Sequence, residues 1–218
     1  MATTIYPDYD GVVFKYVSDT WANVRNASSG NLTAVSFTTI YNLHTSGRGG
    51  NVYNVGRYFL EFDTSAINKT ISSATLQIYG SSLNSLDVIL FKSSQSGAVG
   101  TGDFNEVDGA SSPFANSDGA GRGTLGGSDA TYYSFPVDTW STSGYNTFTL
   151  TDTAKADIIA NDTFNCVMMG FDYDVRDIAP SSAGYAVGFL SDAYSSGLQH
   201  PKLVITEQEN SVFFGTNF

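Results

Sequence analysis

Arg57-Tyr58-Phe59-Leu60-Glu61-Phe62 and, after a short break, Ile71-Ser72-Ser73-Ala74-Thr75-Leu76-Gln77-Ile78-Tyr79 decide the fold. Successive side chains of an extended chain point to opposite faces, so the first run sets Tyr58, Leu60 and Phe62 against Phe59 and Glu61. The second turns Ala74, Leu76 and Ile78 inward. Leu86 to Phe91 follows across Gly80 to Ser85, a connection rich in turn residues that predicts a hairpin-like return. Working outward, the runs at Ile5 to Tyr6, Gly11 to Val17, Val35 to Leu43, Thr131 to Val137, Thr147 to Leu150, Phe164 to Tyr173, Tyr185 to Leu190 and Lys202 to Thr206 are bounded by Gly, Ser, Asn and Asp. Many short strands of this kind predict an all-β protein, a single jelly-roll-type β-sandwich over residues 1–207. One short helix is expected near Thr151 to Ala160, where Thr151 or Asp152 caps the free amides and Ala154, Ile158 and Ile159 recur at helical spacing. Residues 93–129 form a long Gly/Ser/Asp-rich loop without apolar periodicity, either a functional loop or an insertion.

The 218 residues are 41% hydrophobic, 14% aromatic and only 14% charged, which excludes disorder and coiled coil. A net charge of −11 repels phosphate backbones and anionic lipid heads, so neither nucleic acid nor a membrane surface is an expected partner. No run approaches the roughly 18 apolar residues of a membrane-spanning helix. The N-terminal Met-Ala-Thr-Thr-Ile-Tyr-Pro has neither a basic nor an apolar leader segment, which predicts no secretory signal. The single Cys166 lies in an apolar run and reads as a small core residue, with no internal disulfide available.

Chemistry-bearing motifs are sparse. His44 and His200 are expected in surface loops, outside any nucleophile or zinc pattern, and Gly119, Gly121 and Gly123 stand in an irregular acidic stretch rather than after a strand. A pair of distant carboxylates would still suit a polysaccharide-degrading enzyme, the least favoured of the functions considered. Asp172, Asp174 and Asp177, with loop carbonyls, are spaced to offer oxygen ligands to Ca²⁺, the one cofactor considered, although a solvated acidic loop partly neutralised by Arg176 is the favoured explanation. Asp103, Glu106 and Asp108 raise the same thought. Sugar recognition needs aromatic faces beside polar groups, for which Trp21, Tyr132, Trp140 and Tyr194, with Tyr133 and Tyr173, are candidates; core packing is the competing role. Residues 208–218 form an extension whose Val212, Phe213, Phe214 and Phe218 pack either on their own domain or on another subunit as an assembly anchor.

Taken together, Arg57-Tyr58-Phe59-Leu60-Glu61-Phe62-Asp63-Thr64-Ser65-Ala66-Ile67 and Ile71 to Tyr79 resemble the R-x-x-L-x-F-D-x-S-x-I … I-x-S-A-x-L-x-L-Y stretch of DNRLRE-type, disaggregatase-related domains. Gly188-Phe189-Leu190-Ser191-Asp192 and His200-Pro201-Lys202-Leu203-Val204-Ile205 are similar to that family's closing strands. The Trp-rich segment expected after the third strand is reduced to Asp103-Phe104-Asn105-Glu106. The resemblance implies a carbohydrate-binding-module-like sandwich in which Leu60, Phe62, Ala74, Leu76 and Ile78 build the core and Asp63 and Ser65 shape a turn. In free-standing form it is similar to virion proteins of tailed bacteriophages, assembled in the host cytoplasm. The expectation is therefore a non-catalytic virion structural protein, a capsid decoration or tail or fibre component, with other virion subunits or its own copies as partners and a cell-surface glycan as possible ligand. A stand-alone, extracellular carbohydrate-binding module is the alternative.

Overall fold

Strand β5 (Gly50–Asp63) is the axis of the molecule, because it pairs antiparallel with three others. On one side runs β2 (Tyr9–Ser18), with Val12 opposite Tyr58. On the other, β4 (Thr38–Gly47) takes the first half of β5 and β9 (Thr163–Gly170) the second, with Leu60 opposite Cys166. The computed structural model describes residues 2–34, 38–47, 50–108, 131–188 and 199–208. This sheet is completed by β3 (Leu32–Ala34) beside β2, β7 (Val88–Lys92) beside β9 and β10 (Gly184–Gly188) beside β4. The second sheet runs β1 (Ala2–Ile5), β11 (Lys202–Glu207), the first half of β6 (Ile71–Asn84), then β8 (Tyr145–Thr149). The protein is an all-β sandwich of two antiparallel sheets.

The alternating residues meet between the sheets. Tyr58, Leu60 and Phe62 pack against Ala74, Leu76, Ile78, Phe148, Leu203 and Ile205, all buried. Cys166 lies fully buried in the same core, and burial pushes its thiol far above the ordinary range. Asp63 and Ser65 shape the turn after β5, since Asp63 Oδ1 accepts from the Ser65 amide at 2.9 Å and hydroxyl at 2.6 Å.

Gly80 to Ser85, expected as a turn, mostly continues β6, which reaches Asn84. Up to Tyr79 the strand pairs with β8 and β11; from Gly80 it pairs with β10, so one strand joins both sheets. Gly80 permits the crossing, because a Cβ there would lie 2.0 Å from the Ser141 carbonyl oxygen. The expected strand at Thr131 to Val137 is reduced to isolated bridges with Phe91, Val88 and Leu150. His44, expected in a loop, lies in β4.

Helix α2 (Asp152–Ala160) forms as expected, with Thr151 Oγ1 accepting from the Ala154 amide at 3.3 Å and Ala154 and Ile158 buried. Ile159 departs from the expected face and is 41% exposed. It is not the sole helix: α1 (Trp21–Arg25), a 3-10 turn (Thr101–Asn105) and a π-helical turn (Phe171–Val175) were not anticipated. These cover the outer face of the first sheet, where Phe59, Ile89, Val167 and Met169 pack with Trp21, Val24, Phe104 and Val175. The first part of the long 93–129 loop therefore joins a second core, and its remainder from 109 lies outside the described residues.

Candidate glycan-recognition site

The covered face of the first sheet is held by a buried ion cluster. Arg57, on the face of β5 opposite Tyr58, is fully buried and grips Asp174 in a fork, Nε to Oδ2 and Nη2 to Oδ1 both at 2.9 Å. The same guanidinium donates to the Phe104 and Arg25 carbonyls at 2.8 and 2.9 Å and lies 4.2 Å over the Phe104 ring. Arg25, at the end of α1, donates to the Asp174 carbonyl and has its Nε 3.7 Å from Asp174 Oδ1 and 3.6 Å from Asp177 Oδ1. Burial lowers the Arg25 pKa, and the two aspartates oppose that shift. Two cations and two anions thus stitch β5, α1 and the π-helical turn together.

The cluster reaches the surface at Asp177, 49% exposed. The indole Nε1 of Trp21 donates to Asp177 Oδ1 at 3.0 Å, and the Trp21 ring meets Tyr53 edge-on at 5.5 Å. Asp177 adopts a left-handed conformation (φ 53°), a region Asp tolerates better than most residues. Above the two rings lies an open groove of about 500 Å³ lined by Ser18, Asp19, Thr20, Trp21, Asn51 and Tyr53. Asp19 Oδ1 accepts from the Thr20 amide at 2.7 Å and from Asn23 Nδ2 at 2.8 Å. The Asn23 hydrogen bond, then the Thr20 amide, holds this exposed carboxyl below the usual range, so it stays charged. The groove is therefore lined by the narrow exposed edges of two buried rings, Trp21 and Tyr53, beside hydroxyl, amide and carboxylate groups.

Of the residues singled out for sugar contact, only Trp21 stands in this groove. Trp140 is as buried as Trp21, each 8% exposed, but it packs in the core between the sheets and does not line the groove. Tyr132 is half-buried against the outer core, 5.9 Å from Phe135. Tyr133 stacks on Phe164 at 4.9 Å and donates to Asp157 Oδ2 at 2.6 Å. Lys92 Nζ reaches the same oxygen at 3.1 Å, forming a polar niche of about 160 Å³ beside α2. Tyr194 and the extension residues Val212, Phe213, Phe214 and Phe218 lie outside the described residues.

Asp172, Asp174 and Asp177 do not converge on one point. Asp172 Oδ2 accepts the Asp87 amide at 2.9 Å, Asp174 faces Arg57, and Asp177 faces Trp21 and Arg25. Asp103 accepts the Gly100 amide at 2.7 Å and Glu106 accepts the Ser94 hydroxyl. Among the described residues no three His, Cys, Asp or Glu side chains gather to hold a metal ion.

Asp19, Asn51 and Tyr53 were missed as groove residues. Asn51-Val52-Tyr53-Asn54-Val55 carries the only available signal, an alternation with two polar or aromatic residues on one face. The fold is a two-sheet antiparallel sandwich, and the groove lies beside Trp21 and Tyr53. No protein-family model and no curated protein matches the chain.

Proposed function

We propose that the chain is a non-catalytic glycan-recognition module. The observation that carries this reading is the groove at Ser18, Asp19, Asn51 and Tyr53 beside Trp21, in which apolar ring edges and polar groups face the same space. Because the Trp21 N–H is committed to Asp177, the indole contributes apolar contact while Asn51 and Asp19 supply the hydrogen bonds. Glycoside hydrolysis needs a carboxyl raised to act as acid, and Asp19 is held the opposite way, which favours binding without turnover. A panel of neutral oligosaccharides should contain one that raises the melting temperature, and Asn51→Ala should lower its affinity about tenfold, the worth of about one good hydrogen bond. Absence of any shift across the panel defeats the reading.

Attachment to a virion, as capsid decoration or tail component, is the setting we propose for this module, supported by the apolar Val212, Phe213, Phe214 and Phe218 after β11. Antibody detection on density-purified particles tests it. Recovery only from particle-free fractions counts against it.

A further inference from the structure

On the outer face of the sheet formed by β1, β11, β6 and β8, Thr75, Gln77, Tyr79 and Tyr145 are half-buried and Thr147 is exposed among the described residues, unlike the buried outer face behind β5. On that face Tyr79 of β6 stands directly opposite Tyr145 of β8, their rings 5.4 Å apart and nearly perpendicular. Gln77 and Thr147 form the next rung, and Lys202 is registered beside Gln77. Tyr6, 52% exposed, closes the row through an edge contact of 5.9 Å with His200. Both inner phenols are committed as donors, Tyr79 to the Ser143 carbonyl at 2.7 Å and Tyr145 to that of His200 at 3.3 Å. Their rings are thereby fixed in place.

The charge on this face runs against that of the chain. The protein has 21 acidic and 10 basic residues, yet the four strands carry a single acid, Glu207, at the far end of β11. Five residues of strand separate it from Lys202, about 16 Å, beyond the screening length of about 8 Å at physiological salt. Lys92, Lys155, Arg25 and Arg57 all pair with carboxylates. Lys202 Nζ instead lies 3.8 Å over the Tyr145 ring, with no carboxylate within ion-pair distance among the described residues. An ammonium held on an aromatic ring keeps its donors for an incoming anion.

We propose that this face is a second binding surface, distinct from the groove, and that it takes acidic glycans: a sugar ring against Tyr6 and Tyr79, its carboxylate on Lys202, its hydroxyls on Gln77 and Thr147. The proposal extends the glycan reading to another surface and fails separately from it. Titration of the full chain with tetragalacturonate and with neutral galactotetraose should give at least tenfold tighter binding of the acidic tetramer, weakening as NaCl rises from 50 to 500 mM. Lys202→Ala should remove that preference, Lys202→Arg should retain it, and Asn51→Ala in the groove should leave it unchanged, with melting temperatures showing that each variant folds. Equal affinity for the two tetramers, no binding of either, or an unchanged preference in Lys202→Ala overturns the proposal. Loss of acidic-glycan binding in Asn51→Ala would assign it to the groove and overturn it as well.

Discussion

The two sheets of this sandwich share a core but treat their outer faces in opposite ways. Behind β5 the outer face carries Phe59, Arg57 and Glu61, all at most 8% exposed, under a layer made of α1 and two short helical turns. Behind β6 the equivalent positions carry Thr75, Gln77 and Tyr79, which are half-buried and meet solvent. Covering the first face removes Arg57 and Asp174 from water, a cost met because the two pair in a fork and Arg57 donates further to the Phe104 and Arg25 carbonyls. The half-buried residues of the second face need no such pairing. The comparison shows how, among the described residues, one scaffold carries a groove at the edge of the covered face and half-buried polar and aromatic residues behind β6.

The largest effect should come from breaking the covered face. Asp174→Ala leaves Arg57 buried without its carboxylate and should cost about 3–5 kcal/mol in urea unfolding. Gln77→Ala, behind β6, should stay within about 0.5 kcal/mol. Comparable losses for the two would erase the distinction drawn here. At the strand shared by both sheets, Gly80→Ala should destabilise by about 1–3 kcal/mol, since its methyl would meet the Ser141 carbonyl, the Asn146 amide and the Trp140 ring nitrogen. Thr151→Ala should remove the α2 cap for about 1 kcal/mol, read as a small fall in urea midpoint. The smallest effect concerns pH. The Ser65 hydroxyl and amide lower the exposed Asp63 carboxyl from 3.8, so the stability it lends is present above that value and lost as pH falls below it. Asp63→Asn should flatten that acid-side decline without altering stability at pH 7 beyond the loss of the turn contact itself.

The inter-sheet core was legible because Tyr58, Leu60 and Phe62, and Ala74, Leu76 and Ile78, carry period-two alternation that one-sided burial imposes. The outer layer was not. Alternation places Arg57 among residues facing water, and its partner Asp174 stands 117 positions away, a pairing that no local pattern announces. Helix α1, at five residues, is too short for a helical period, and only its cap, Thr20 Oγ1 accepting from the Asn23 amide at 3.3 Å, marks its start. The Gly80 to Ser85 stretch has turn composition because a strand that changes sheets needs a glycine at the crossing. Trp21 was chosen for its ring, but its neighbours Asn51 and Tyr53 come from β5, joined to it only by folding.

The most direct test of the groove uses the fact that the chain has two tryptophans, one at the groove and one in the core. In Trp140→Phe, Trp21 is the sole indole emitter. Titration with the neutral oligosaccharides should shift its emission saturably for at least one sugar, with Asn51→Ala moving the curve about tenfold to higher concentration. An emission spectrum unchanged by every sugar, in a variant that melts like the parent, would contradict glycan recognition at this site.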